Sequence, residues 1–391
     1  MKNIMKLQRI IKTQIKNPWA HLILLALLLG LLYSRSNIKL MDDSYYYQKF
    51  TETLVNEGRL DFSLPGFHGA DFLTAPIYFV THSPYAVAIL DMIAAIANIF
   101  LIYLAVNQIF KDKKLGVFAA YIYLLNPIDY YNPLRGHHHT PLMALVFLGL
   151  YLLFRNSKWT SLSFGFSYII RPFGIAFAPL FIYQKKIKQL LLSLIVPVVY
   201  VILEYWQIGK VFIGAHNDLT PETLFSIKRF ILNLGYAFQN YFSIHNYSFL
   251  NPLDSLDMIH LSPLITFFAL LGVLYPKKYF SDLKLFWFLF ASAAIALILP
   301  AMFVHLDMWH LWTFNFALIL ISLPVIVKFT KALPVVVLSF GFQFLYLYLA
   351  GKNVFWNDYT IFIIPVVIFI ISIVYTFYQI NYKKDENYSC S

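Results

Sequence analysis

Two adjacent carboxylates, Asp42 and Asp43, open the stretch MDDSYYYQKF just after the first long apolar run. A carboxylate held beside a hydroxyl can take its proton, so a pair fixed at a helix end suits general-base work, whereas the same pair in a hydrated loop only solvates. The residues that follow favour the fixed arrangement. In SYYYQKFTETLVNEGRL, Tyr46, Phe50, Leu54 and Val55 recur at helical spacing, which predicts an amphipathic helix lying at an interface. Other reactive side chains come in clusters. NPLRGHHHTPL carries Arg135, His137, His138 and His139; HLDMWH carries His305, Asp307 and His310; and Arg171 precedes Pro172 in the middle of an apolar stretch. Three consecutive histidines rarely converge on one ion, so a hydrogen-bonding role for one of them is read in preference to a zinc site. His305, Asp307 and His310 have spacing that permits convergence, but no further ligand is identifiable and a loop at a helix end is the plainer reading.

The elements that must position these groups follow from composition. The chain has 391 residues, of which 60% are hydrophobic and only 13% charged, which excludes an ordinary soluble domain and predicts an all-α polytopic membrane protein. Lys and Arg number 30 against 19 Asp and Glu; in a membrane protein this excess is explained by basic cytoplasmic loops, with no call for nucleic acid. The single cysteine, Cys390, rules out a disulfide framework and a cysteine metal site. The first apolar run, 17–34, follows Lys2, Lys6, Arg9, Lys12 and Lys16 without a small-residue cleavage pattern, so it reads as a retained helix entered from the cytoplasm. Asp42 and Asp43 then emerge outside.

Further apolar runs lie near 84–110, 115–131, 139–154, 188–208, 259–275, 284–304, 311–327, 332–350 and 358–380, and basic clusters such as KDKK, RNSK, KKIK and KFTK separate alternate pairs. Segment 160–183, TSLSFGFSYIIRPFGIAFAPLFIY, has a basic cluster at each end and cannot be one crossing. A straight helix would also put Arg171 at mid-membrane, at a cost of about 2.5–3.5 kcal/mol, and Pro172 would remove a backbone hydrogen bond there. Two half-length helices, each roughly 16 Å long, satisfy both constraints and meet at an Arg-Pro tip that lines protein or a water-filled cavity. With that hairpin the chain reads as a bundle of about twelve membrane segments with both termini cytoplasmic. Outer regions fall at 35–83, 132–138, 209–258 and 305–310, and 222–243 reads as a second interfacial helix. The division is a module at 1–208 followed by a C-terminal transmembrane module at 209–391. Apart from His21, every histidine falls outside or at the outer interface, which puts the polar chemistry on one face.

Asp42, Asp43, Ser44 and Tyr45, with a helix ending at Gly58, resemble the acidic motif in the first outer loop of the GT-C superfamily of integral-membrane glycosyltransferases. The bacterial members related to protein O-mannosyltransferases and aminoarabinose transferases are the most similar. NPLRGHHHTPLMALVFLGLYLL resembles the family's second outer loop and following helix, and the Arg171-Pro172 hairpin its segment with a basic residue beside Pro or Gly; the likeness covers about residues 15–185. The resemblance implies a GT-C-like fold and a polyprenyl-phosphate sugar donor, attacked by an acceptor hydroxyl of a glycan, lipid or protein at the outer face of a bacterial plasma membrane. It implies Asp42 as general base, with Asp43 orienting the acceptor or raising the basicity of Asp42. A cation is wanted on the departing phosphate; Arg171 suits that role, Arg135 is second choice and His137 a further candidate, and Tyr45, His138, His305, Asp307 and His310 are candidates for substrate contacts. A lipid phosphate is a good leaving group, so no cofactor is required and a divalent metal has no evident ligand set.

Two other readings compete. A transporter or flippase of lipid-linked sugars would use the broken segment as a midplane site, yet no second Arg-Pro hairpin follows in 210–391. A polymerase or ligase would place its chemistry in a large late loop, against which the early acidic pair argues. Apart from these, the structural alternative for Arg171 is an ion pair with a buried acid such as Asp91 or Glu204 that neutralises the helix bundle.

Overall fold

A computed structural model describes residues 17–40, 43–64, 66–124, 132–209, 227–242, 263–302 and 311–328. Among these every regular element is helical. In chain order they are α1 (Pro18–Ser34), α2 (Ser44–Glu57), α3 (Asp71–Thr81), α4 (Ala86–Phe110), α5 (Lys113–Leu124), α6 (His139–Phe154) and α7 (Thr160–Ile170). A 3-10 helix, Pro172–Phe177, leads into α8 (Ala178–Tyr183), α9 (Ile187–Ser193), α10 (Ile195–Ile208), α11 (Ile227–Phe242), α12 (Pro263–Leu274), α13 (Pro276–Tyr279), α14 (Leu283–Ala301) and α15 (Trp312–Lys328).

Among the described residues, three spans are long and apolar enough to cross a membrane: α4, the run α9–α10 at Ile187–Ile208, and α14. Shorter apolar helices, α1 and α6 among them, pack around these, as expected of an integral membrane protein. The apolar runs predicted at 332–350 and 358–380 lie outside the described residues.

Local chemistry sets the boundaries. Asn17 caps α1 by accepting from the Trp19 amide at 3.1 Å, with Pro18 in the first position, where its missing N–H costs nothing. Helix α2 ends at Gly58 in the left-handed conformation. The interruption predicted at 171–172 is present. Arg171 is extended, at φ −159° and ψ 136°, because a following proline disfavours helical backbone, and Pro172 starts the 3-10 turn. The stretch 35–83 holds a helix, α3, that the sequence pattern did not announce.

Helix α4 is the central strut, packed by α1, α3, α5 and α6. Helices α12, α14 and α15 form a second group, joined to the first where Phe316 of α15 meets Phe147 of α6 at 4.6 Å and Phe177 at 5.6 Å between ring centres. Between apolar helices in lipid, such close packing and polar cross-links drive association. One cross-link is Asn98 of α4, whose amide donates to the Tyr123 hydroxyl (2.9 Å) and the Thr140 carbonyl (3.1 Å), tying α4 to α5 and α6. Asn98→Ala is expected to destabilise the bundle by about 1 kcal/mol, read as a lower melting temperature in detergent; an unchanged melting temperature would show that the cross-link contributes nothing.

Candidate functional site

The site grows from the first two turns of α2. The Asp43 carbonyl accepts from the amides of Tyr46 and Tyr47, and its half-buried side chain stands at the helix start without capping it. Ser44 is fully buried and its hydroxyl donates to the Arg135 carbonyl at 2.5 Å, which fixes the loop before α6 against α2. One turn on, Tyr47 is 1% exposed, and its hydroxyl accepts from the Arg171 guanidinium at 3.1 Å. A single turn of α2 therefore holds both arginines that the sequence singles out. Tyr45, on the opposite face, is 61% exposed.

Behind Tyr47 runs a buried chain of acids and imidazoles drawn from three stretches of the sequence, 68–71, Asp91 and His138. His68 Nδ1 lies 2.7 Å from Asp71 Oδ2, and His68 Nε2 lies 2.9 Å from the Leu64 carbonyl. Asp71 Oδ1 is 2.7 Å from His138 Nε2, and His138 Nδ1 is 3.2 Å from Asp91 Oδ1. Asp91 Oδ2 also accepts from the His138 amide at 2.9 Å. Asp71 and Asp91 are fully buried and both imidazoles nearly so. Every imidazole nitrogen of the two rings faces an oxygen acceptor, so neither ring has a nitrogen left for another partner. Burial alone would lower the His138 pKa; the Asp71 charge and the hydrogen bonds to Asp71 and Asp91 outweigh it, and the value is raised from 6.5 to about 9.

Backbone geometry pins this chain. His138 stands at φ +58°, left-handed backbone that costs a non-glycine residue about 1–3 kcal/mol and persists because Asp91 grips both its amide and its ring. Gly69 presses so close to the end of α7 that a Cβ there would collide with the Ile169 carbonyl and the Ile170 amide. The loop bearing His68 therefore sits against the backbone that delivers Arg171.

An apolar groove opens at the helix break, against the residues on either side of Arg171 in the chain. Its volume is about 430 Å³, and its walls include Tyr168, Ile169 and Pro172 from the helix break and Val198, Tyr200 and Ile202 from α10. The Tyr200 hydroxyl accepts from the His68 amide at 3.1 Å, so the groove wall is tied to the acid-imidazole chain.

The structure thus brings Asp43, Arg135, His138 and Arg171 to the neighbourhood of α2. His137 and His139 are buried beside them, with ring centres 6.3 Å apart, and His139 stacks on Trp312 at 5.0 Å. Asp42, His305, Asp307 and His310 lie outside the described residues. Asp91, weighed as a partner for Arg171, faces His138 instead. Sequence reasoning missed His68, Asp71 and Tyr47; the signal for the first two was a His-x-x-Asp spacing at a helix start, in FHGADF.

No family model matches the chain. Over 198 aligned residues it is 25% identical to the dolichyl-phosphooligosaccharide-protein glycotransferase 1 of Archaeoglobus fulgidus, an alignment covering 44% of this chain and 33% of that relative. The chain therefore spans about a third of that relative's length. Among solved structures it is similar to ArnT from Cupriavidus metallidurans bound to undecaprenyl phosphate, with a TM-score of 0.56 at 11% identity, covering 91% of this chain and 75% of that one.

A pKa raised in the fold means that the His138 contribution to stability is fully present below about pH 6.5 and is lost as pH rises through about 9. The melting temperature is expected to fall between pH 7 and pH 10, and to fall less in His138→Gln, which lacks the titrating group. An identical fall in both proteins would contradict the charged chain.

Proposed function

We propose that this chain, which has the fold of the GT-C superfamily, is a membrane glycosyltransferase that moves a sugar from a polyprenyl-phosphate donor to an acceptor hydroxyl. The observation that carries the reading is an apolar groove walled by Ile169 and Pro172, the chain neighbours of the buried Arg171 at the helix break. A lipid-linked sugar phosphate has a long apolar tail and one anionic head, and it needs a greasy channel ending at a fixed cation. The groove volume lies within the range of about 300–1,000 Å³ usual for ligand sites. Arg171 sits where the backbone breaks, buried and already hydrogen-bonded, so it meets the phosphate with little reorganisation. The undecaprenyl phosphate bound in the similar ArnT structure supports a ligand of this class.

The reaction is a single displacement at the anomeric carbon, with inversion. Asp42 takes the acceptor's hydroxyl proton, the acceptor oxygen bonds to the anomeric carbon, and the bond from that carbon to the phosphate oxygen breaks. The lipid phosphate leaves with a second negative charge, and a cation that gains attraction as charge develops lowers the barrier. Arg171 is that cation, with Arg135 and His137 as further candidates for the phosphate. Asp43 orients the acceptor, with Tyr45 and, from the later stretch 305–310, His305, Asp307 and His310 as further substrate contacts; His138, buried with both ring nitrogens taken by Asp71 and Asp91, is not among them. The lysines and arginines gathered at the helix ends far from α2 favour a cytoplasmic basic face, so that the acceptor, whether glycan, lipid or protein, is met at the outer face of a bacterial plasma membrane.

Purified protein in proteoliposomes, supplied with a panel of radiolabelled polyprenyl-phosphate sugars and crude membrane acceptors, tests the reading. Wild type is expected to consume one donor. Arg171→Ala should lower kcat/KM about 10²–10³-fold and Asp42→Asn about 10²–10⁴-fold. Loss of transfer in Asp43→Asn with Asp42→Asn still active would reassign the base. Movement of the lipid-linked sugar between leaflets without donor consumption would replace the transferase with a flippase.

A further inference from the structure

Arg171 is a long side chain at a helix break, and such a group binds a phosphate well only if something fixes its rotamer. Among the described residues the hydrogen bond that the structure gives its guanidinium is to Tyr47. The Tyr47 ring is itself wedged. It lies 4.6 Å from the His138 ring and 5.9 Å from the His68 ring, centre to centre, with Gly66, at φ +117°, against its edge. Side chains at Gly66 would push into the Tyr47 ring, so the slot admits the phenol only because that position lacks a Cβ. Both flanking histidines are in turn held at both ring nitrogens by Asp71, Asp91 and the Leu64 carbonyl.

We propose that Tyr47 is a positioning residue for Arg171: clamped between the two immobilised imidazoles, its hydroxyl aims the guanidinium at the phosphate of the lipid-linked donor. This rests on the reading of Arg171 as the phosphate-binding cation. The geometry explains why a buried, closed chain of two acids and two histidines sits beside the site without an open end for proton transfer. Its saturation makes it a rigid mount, and the mounted object is the phenol that Arg171 leans on. Chemistry at the hydroxyl is consistent. Burial raises the Tyr47 pKa more than the Arg171 charge lowers it, so the phenol stays neutral and accepts from the guanidinium; a phenolate there would spend the positive charge that the phosphate needs.

Tyr47→Phe keeps the ring and removes only the hydroxyl. The experiment measures donor KM, kcat and melting temperature for wild type, Tyr47→Phe, Arg171→Ala and the double variant, in the same proteoliposomes. The melting temperature of Tyr47→Phe should stay at the wild-type value while its donor KM rises about tenfold, the size of one lost hydrogen bond to a charged group. On the Arg171→Ala background the same substitution should add nothing, because the group it aims is gone. Weakened donor binding in Arg171→Ala with Tyr47→Phe at the wild-type level, or effects that multiply in the double variant, would overturn the inference and leave the phosphate reading standing. Wild-type donor binding in Arg171→Ala would overturn the reading itself, and the inference with it.

Discussion

A carboxylate removed from water inside an apolar bundle is tolerated only where other groups replace its hydration, and Asp71 is met by two imidazoles at 2.7 Å, one of them His138 with its raised pKa. That requirement organises the region. His68 must come from the loop before α3 and His138 from the loop before α6, while Asp91 on α4 takes the second nitrogen of His138. Three stretches far apart in the chain, 68–71, Asp91 and His138, are thereby locked in one register, and they bring α2, with its acidic start, against the Arg171 break. Removing one partner would leave a buried uncompensated charge, which costs about 3–5 kcal/mol.

Charge is also segregated along the bundle. Helix α4 runs from Asp91, at the acid-imidazole chain, to Phe110 beside Lys111, about 28 Å along its axis at 1.5 Å per residue. At that far end a second cavity, of about 510 Å³, is rimmed by Lys111, Asp112, Gln184, Asp282 and Lys328. The Tyr183 hydroxyl donates to Asp282 at 2.7 Å, and Asp282 caps α14 through the Leu285 amide. Polar groups thus occupy the two ends, and the aromatic packing around Phe147, Phe164 and Phe316 fills the middle.

Much of the architecture was legible because the deciding signals are local. Long apolar runs became α1, α4, α6 and α14; the helical spacing of Phe50 and Leu54 became α2; and Arg171-Pro172 broke its helix because the residue before proline cannot stay helical. Helix α3 was hidden by Pro76 within it and by the glycines before it, which read as loop. The candidate site was legible only in part. Arg135, His138 and Arg171 carried a reason to be noticed singly, yet nothing in the order of residues says that His138 meets Asp91 rather than leaving that acid for Arg171. Such pairings depend on how helices rotate when they pack. Tyr47, one of three consecutive tyrosines, differs from Tyr45 and Tyr46 only in the face of α2 that it occupies.

A lipid phosphate seated at Arg171 is the central claim, and a structure of the protein with bound undecaprenyl phosphate in a lipid nanodisc, determined by electron cryo-microscopy, tests it most directly. The account predicts phosphate density within hydrogen-bonding distance of the Arg171 guanidinium and prenyl density along the groove between Pro172 and Tyr200. Phosphate density at the opposite end of the bundle, among Lys111 and Lys328, with the groove empty, would contradict it.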